Sequence, residues 1–153
     1  MNNNLNSTAL SATMHCLTGC AVGEITGLVL GLIFGWPGPV TLVVSIGLAF
    51  LFGYTLSIIP LLKAGLAVGA AMSIVLAADT LSILTMEIID NATVFVIPGA
   101  MNAGLVNPLF WITLALALFV AFWAAFPVNR YLLSRGKGHA LVHEYHHNHH
   151  EAH

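Results

Sequence analysis

The segment from residue 14 to residue 35 constrains the fold of this chain more than any other, because it is long, apolar and regularly marked with glycine. About 20 apolar residues in a row allow an α-helix to cross the hydrocarbon core of a bilayer. Glycine occupies every fourth position of the segment, at Gly19, Gly23, Gly27, Gly31 and Gly35. Since positions i and i+4 lie one above another on a helix, these glycines form a bare row that a second helix can approach closely. The segment therefore predicts a transmembrane helix with a close-packing face.

A second row runs beside the glycines, one residue further along the chain, and contains Cys16, Cys20 and Glu24. This row places ionisable groups at membrane depth. Burying such groups there is energetically unfavourable, and they usually belong to functional sites. His15 heads the glycine row and adjoins Cys16. Thiolate and imidazole groups together suit copper or zinc, and a spacing of four residues allows both cysteines to share one ion. The alternative is a buried thiol pair that only packs.

The composition is that of an integral membrane protein. Of the 153 residues, 58% are hydrophobic and 7% are charged, whereas roughly a quarter of the residues are charged in a soluble domain. The formal net charge of -2 gives no indication of nucleic-acid binding. Residues 1–13 are polar and lack the basic residues of a signal peptide, so we expect the first apolar segment to be a retained helix.

The pattern of apolar segments predicts an all-α fold, a four-helix transmembrane bundle. The predicted spans are about 14–35, 40–61, 64–89 and 108–133. A polar tail, 1–13, precedes them, and the transmembrane domain of 14–138 is followed by a soluble tail, 139–153. The segment 91–107 is apolar but is interrupted by proline and glycine, which leaves open an interfacial or re-entrant path.

The few basic residues predict the orientation of the bundle. Lys63 lies between the second and third spans, and Arg130, Arg135 and Lys137 lie near or after the end of the fourth. The other two connections have no basic residue, so the positive-inside rule places both termini in the cytoplasm. The chain is then a multi-pass protein of the bacterial inner membrane. In that orientation the thiols lie at the cytoplasmic entrance of the bundle, and Glu24 lies deeper.

Two carboxylates fall near the middle of predicted spans, Glu24 in the first span and Asp79 in the third, and we expect them at a similar depth. An ionised carboxylate isolated in hydrocarbon is strongly unfavourable, and no lysine or arginine lies at that depth. Each acid therefore needs a proton, a metal ion, a hydrogen-bond donor or water. The alternative is a structural role, in which a protonated carboxyl group forms a hydrogen bond between two helices. Met72 and Met86 share a helical face with Asp79, and their thioethers suit copper(I), although methionine also fills cores without a further role.

The C-terminal tail contains seven histidines: His139, His143, His146, His147, His149, His150 and His153. Several pairs are four residues apart, the spacing with which a helix binds one metal ion, and histidine-rich tracts commonly bind metals. The tail is either a metal-binding segment on the cytoplasmic side or a low-complexity C-terminal segment without a biological role.

These patterns favour a non-enzymatic protein that binds or transports a transition-metal ion, with copper ahead of zinc. The predicted ligands in the bundle are His15, Cys16, Cys20, Glu24, Met72, Asp79 and Met86. We find no nucleophile elbow, phosphate loop or dinucleotide fingerprint, and therefore predict no catalytic residues. Because a single small bundle encloses little space, a protein that conducts an ion is expected to form a homo-oligomer.

A structural or assembly subunit is the main alternative. In that hypothesis the glycine row docks a partner helix, and in either hypothesis we expect the row to pack on the third span or on another copy of the first. Two further hypotheses rank lower: redox chemistry, in which the two cysteines alternate between dithiol and disulfide, and haem ligation by His15. Haem needs a second axial ligand, and the predicted spans contain no other histidine.

The pattern HCxxGCxxGE at residues 15–24, the Pro98-Gly99 turn and the closing Pro127-Val128-Asn129 resemble a known membrane family. The last of these is followed by Leu132, Gly136 and His139. The family is bacterial and archaeal and is catalogued only as domain of unknown function 4396. The resemblance covers nearly all of the chain after the first dozen residues. It implies a small inner-membrane bundle and implies no activity.

Overall fold

The computed structural model describes residues 2–63 and 65–135. Its four long helices are α1 (Asn2–Phe34), α2 (Gly38–Lys63), α3 (Val68–Val96) and α4 (Pro108–Ser134). One short 3-10 turn, Ala100–Asn102, lies between α3 and α4, and the described ranges contain no strand. Each long helix contains a stretch that is long and apolar enough to cross a membrane. The predicted all-α transmembrane bundle is thus confirmed. The histidine tail from residue 139 lies outside the described residues.

The first helix begins much earlier than the hydropathy of the sequence indicated. α1 starts at Asn2, so most of the segment predicted as a polar tail is helical. Ala9, Ala12 and Thr13 are buried there, and Thr13 receives a hydrogen bond from α4. Small side chains and a tertiary contact stabilise this polar part of the helix, and hydropathy detects neither. Cys16 and Cys20 consequently lie near the middle of α1, and the expectation that they stand at the entrance of the bundle was wrong.

The third helix extends to Val96, beyond the predicted end near residue 89. The first part of the segment 91–107 is therefore a continuation of α3. The remainder is a short connection in which Gly99 adopts a left-handed φ of 82°. Asn107 ends the connection, and its Oδ1 accepts a hydrogen bond of 3.0 Å from the backbone N–H of Leu109, which caps α4.

The glycine row of α1 packs against α2. This corrects the expectation that the row meets the third span or another copy of the first. A Cβ atom built on Gly19 would lie 2.5 Å from the Cα of Gly53. The next three glycines oppose residues four apart on α2: Gly23 meets Ala49, Gly27 meets Ser45 and Gly31 meets Thr41. Both helices therefore present small residues at the same spacing, and the short connection between them favours this antiparallel pair.

The fifth glycine of the row, Gly35, has a different role. Its φ is 64°, and no atom lies within 4 Å of a Cβ built on it. A left-handed glycine after the last residue of a helix is a common terminator, and α1 ends at Phe34. Gly35 therefore ends the helix and does not extend the packing face.

Gly53 brings α3 against the same two helices. A Cβ built on Gly53 would lie 2.7 Å from Cδ1 of Ile83 in α3. Gly53 also touches Gly19. The absence of a side chain at Gly53 therefore lets α1, α2 and α3 pack closely together at this point. This convergence places the interior face of α3 beside the thiol row of α1.

Candidate functional site

The two cysteines lie at the centre of the bundle. Cys16 and Cys20 are both fully buried and have free thiols. Their cluster also contains Ile83 and Met86 of α3, and it is completed by small residues of the other helices: Ala49, Ala121 and Ala125. Of the predicted sulfur ligands, Met86 thus joins the thiols. Met72 does not, because it is exposed on the outside of α3.

Polar side chains around Cys16 form one group, which we call the Asp79 group: Cys16, Ser57, Asp79 and Ser82. All four are buried. Ser57 of α2 lies beside the Asp79 carboxylate, and Cys16 interacts electrostatically with Asp79. Among the described residues, the Oδ2 of Asp79 and the hydroxyl of Ser82 have no hydrogen-bond partner. The group thus offers two unsatisfied oxygen atoms next to a thiol.

Polar side chains around Cys20 form a second group, nearer to the C-terminal end of α3. Its carboxylates, Glu24, Glu87 and Asp90, are called the acid triad below. Cys20 and Glu87 interact electrostatically, and Glu24 interacts electrostatically with both other acids. Asn91 donates from Nδ2 to Oε2 of Glu87 at 3.5 Å. Among the described residues, Oε1 of Glu87 and both carboxylate oxygens of Asp90 have no hydrogen-bond partner.

No lysine or arginine balances these acids within the part of the chain that the structure describes. Lys63, Arg130 and Arg135 are all exposed. They lie near the ends of α2 and α4, on the side of the bundle where α1 begins. Buried carboxylates without a cationic partner must be neutralised by protons or by a bound cation, or be reached by water. The interface of α1 and α3 is therefore suited to positively charged species.

The structure separates two acids that we expected at the same depth. Asp79 lies with Cys16, whereas Glu24 lies with Glu87 and Asp90. The two helices run parallel, and Cys16 and Glu24 are eight residues, or about 12 Å, apart along α1. The expectation that Glu24 and Asp79 lie at a similar depth was thus wrong, and the polar row of α1 contributes side chains to both groups.

His15 lies apart from the thiols. Its side chain is exposed, and its Nδ1 donates a hydrogen bond of 2.7 Å to the carbonyl oxygen of Ser11. It remains within electrostatic range of Asp79. His15 is thus a neighbour of the Asp79 group at the surface and does not contact the buried sulfur atoms.

Glu87 and Asp90 were absent from the predicted ligand set although they are buried in the site. Asp79, Ile83, Glu87 and Asp90 follow one another at spacings of four, four and three residues, and all four are buried. That spacing is the signal that would have found them. In the sequence Asp90 shares a helical face with Asp79 and Met86, but it lies beyond the predicted end of the third span.

The donor atoms do not form a preassembled metal centre. Among the residues that the structure describes, no group of three or more His, Cys, Asp or Glu side chains is arranged to hold a metal ion. The thiols and carboxylates are instead distributed along the interface in the Asp79 group and the acid triad. Such an arrangement suits successive weak contacts with a cation better than one tight site.

A family model described as "Domain of unknown function (DUF4396)" matches residues 6–138. The match includes all the residues of the Asp79 group and the acid triad. A comparison with curated proteins and a comparison with solved structures each found no significant match.

Proposed function

The chain belongs to the DUF4396 family, whose function is unknown, and we propose that it binds or moves a transition-metal cation through the interface of α1 and α3. One observation carries the proposal: two thiols and three carboxylates are buried inside a membrane bundle, a fourth carboxylate, Glu24, is half-buried beside them, and no lysine or arginine among the described residues pairs with any of them. Unpaired charge of one sign at membrane depth is unfavourable unless an ion of the opposite charge binds there.

The donor chemistry favours zinc over copper(I). With His15 and Met72 exposed, the buried donors are thiols and carboxylate oxygens, joined by the single thioether of Met86. Copper(I) prefers soft sulfur ligands, whereas zinc accepts thiolate and carboxylate together. We therefore reverse the order that the sequence suggested.

The distribution of donors favours movement over storage. The Asp79 group and the acid triad follow one another along the interface of α1 and α3. The Asp79 group contains the thiol of Cys16, and the thiol of Cys20 lies beside the acid triad. An ion would pass from one group to the next with small side-chain rotations. Binding that is weak and repeated over several sites allows an ion to leave as well as to enter.

We also propose the inner membrane of a bacterium as the location, with both termini in the cytoplasm. Support comes from Lys63, Arg130 and Arg135, which lie at the same end of the bundle. The Asp79 group is then nearer to the cytoplasm and the acid triad nearer to the outside. A homo-oligomer would supply the enclosed space that a single bundle of this size lacks.

The assembly hypothesis loses its main support in this geometry. It relied on a glycine row free to dock a partner, and four of those glycines are already occupied by α2. A partner helix would have to use another face of the bundle.

The test is metal binding by the purified chain ended at residue 138, which removes tail histidines that would bind metal whatever the bundle does. Zinc, copper(I) and nickel would be offered in turn under reducing conditions. We expect saturable zinc binding of modest affinity, which is lost in the double variant Cys16→Ser, Cys20→Ser. The exposed neighbour Thr18→Ala is the matched control and should keep the ion. Unchanged stoichiometry in the cysteine variant would contradict the proposal.

A further inference from the structure

We propose that a cavity between α1 and α4 binds one anionic phospholipid, with an acyl chain against the aromatic wall of the cavity and the phosphate at Arg130. The cavity has a volume of about 350 Å³, within the range of about 300–1,000 Å³ that small-molecule sites span. Its lining residues come from the first three turns of α1 and the second half of α4: Asn6, Ser7, Leu10, Phe122, Trp123 and Phe126. None of them belongs to the Asp79 group or the acid triad, so the lipid site is independent of the metal proposal.

The apolar part of the cavity opens to the outside of the bundle. Leu10 is 45% exposed and Trp123 is 62% exposed, and both lie in helices that are long and apolar enough to cross a membrane. The rings of Phe122 and Phe126 stack with their centroids 5.9 Å apart, and Trp123 meets Phe122 edge-on. The three rings form one continuous wall, which in a bilayer contacts acyl chains and not water.

The indole N–H of Trp123 has no acceptor among the residues that the structure describes. Trp111, in contrast, donates from Nε1 to the carbonyl oxygen of Leu105 at 2.9 Å. Trp123 lies eleven residues before the end of α4, which is about 16 Å along the helix axis and within the hydrocarbon layer. A tryptophan N–H kept from water needs an acceptor. The ester carbonyls of a phospholipid lie just below its phosphate and supply one.

Arg130 provides a positive charge one turn beyond Phe126, on the same face of α4. It is exposed, and within the described ranges it forms neither an ion pair nor a hydrogen bond. Residues 1–23 and 108–135 contain no aspartate or glutamate, so neither helix places a negative charge beside the cavity. Basic pockets between transmembrane helices bind acidic lipid headgroups. The charge at this end of the cavity therefore favours an anionic lipid over a zwitterionic one.

The wall that α1 contributes is polar at its start. Asn6 and Ser7 are exposed and lie at the same end of the bundle as Arg130. Neither side chain makes a hydrogen bond to another described residue, whereas Thr18, further along α1, donates to the carbonyl oxygen of its own helix. The amide and the hydroxyl are thus available to the phosphate and glycerol oxygens of the lipid.

The preference for an anionic headgroup is tested with the full-length protein in detergent. Phosphatidylglycerol and phosphatidylcholine with the same acyl chains are titrated in turn, and native mass spectrometry counts the bound lipids. We expect one phosphatidylglycerol to bind about fivefold more tightly than phosphatidylcholine, the preference that one basic residue gives for anionic lipid. Equal affinity for the two lipids would overturn the proposal.

The position of the headgroup is tested with Arg130→Gln, which should abolish the preference. Arg135→Gln is the matched control, because Arg135 is exposed on the same helix but lies a further turn from the cavity. Its guanidinium carbon is 5.3 Å from the ring centre of Tyr131. This control should keep the preference. A preference that survives in Arg130→Gln would place the headgroup elsewhere and contradict the assignment.

The position of the acyl chain is tested with Ser7→Leu, which fills part of the cavity. Ser11→Leu is the control, since Ser11 is an exposed serine of α1 that is not among the lining residues. We expect Ser7→Leu to lose the tightly bound lipid and Ser11→Leu to retain it. Unchanged lipid binding in Ser7→Leu would overturn the proposal. If the same spectra also showed a dimer that dissociates in Ser7→Leu, the cavity would be a contact between two copies of the chain.

Discussion

The side chain of Asn129 in α4 donates a hydrogen bond of 2.8 Å from Nδ2 to Oγ1 of Thr13 in α1, and both side chains are buried. Thr13 in turn donates to the carbonyl oxygen of Ala9. The pair joins the first and last helices at the end of the bundle where α1 begins. It lies about one turn from Cys16, so it fixes the position of the thiol row relative to α4.

We expect this hydrogen bond to stabilise the bundle measurably. Interhelical hydrogen bonds in membranes contribute about 0.6 kcal/mol on average and up to about 1.7 kcal/mol. A double-mutant cycle with Thr13→Val and Asn129→Leu should give a coupling energy in that range, measured as the free energy of unfolding in lipid bicelles. Thr18→Val with Asn129→Leu is the control, because Thr18 is exposed and bonds only to its own helix. Additive effects in the first cycle would contradict the prediction.

The close contact between α1 and α2 predicts that larger residues are rejected at the glycine row. Gly23→Leu must displace the backbone at Ala49, whereas Gly47→Leu enters open space. Overpacking costs about 1–3 kcal/mol, and backbone contact puts Gly23 at the upper end of that range. The two variants, compared by thermal unfolding in detergent, should differ clearly, with Gly47→Leu close to the unmodified protein. Equal stability would show that the glycine row is dispensable.

The fold was predictable because hydropathy and length decide which segments cross a membrane. The spans, the all-α class and the glycine face of α1 followed from apolar runs and a four-residue spacing. The partner of that face did not follow, because several helices could have met it. The partner is α2, which has small residues at the same four-residue spacing: Thr41, Ser45, Ala49 and Gly53. A search for complementary rows on two helices would have found it.

The site was only partly predictable, for a physical reason. Cys16, Cys20, Glu24 and Asp79 were recognised by their chemistry, but the depth at which each meets another helix depends on the relative shift of α1 and α3. That shift is set by packing of residues such as Gly53 and Ile83, which carry no chemical signal. Asp90 shares the helical face of Asp79 and Met86 in the sequence but was left out of the predicted ligands, and it lies beyond the predicted end of the third span, because helix ends are not fixed by hydropathy alone.

Two methionines that looked equivalent in sequence should behave differently. Met86 is fully buried beside the thiols, whereas Met72 is 39% exposed. Met86→Ala leaves a cavity in the core and should cost about 2–5 kcal/mol of unfolding free energy. Met72→Ala should cost much less, because lipid can replace the lost contacts. The comparison uses reversible unfolding in one detergent. A larger loss in Met72→Ala would mean that α3 is rotated relative to this structure.

The division into two polar groups predicts which acid each cysteine is coupled to. Cys20 interacts electrostatically with Glu87 and Asp90, whereas Cys16 interacts with Asp79. The unfolding effects of Cys20→Ala and Glu87→Gln should therefore be non-additive, with an interaction energy of about 0.5–3 kcal/mol.

The cross-pair Cys20→Ala and Asp79→Asn is the matched control for that coupling. Its effects should add within about 0.5 kcal/mol, because the two residues belong to different groups and do not interact with each other directly. Both cycles are measured by reversible unfolding under reducing conditions, so that no disulfide forms between the thiols. Strong coupling of Cys20 to Asp79 would merge the two groups into one site. An ion would then meet a single set of ligands, and transfer from the Asp79 group to the acid triad would have no structural basis.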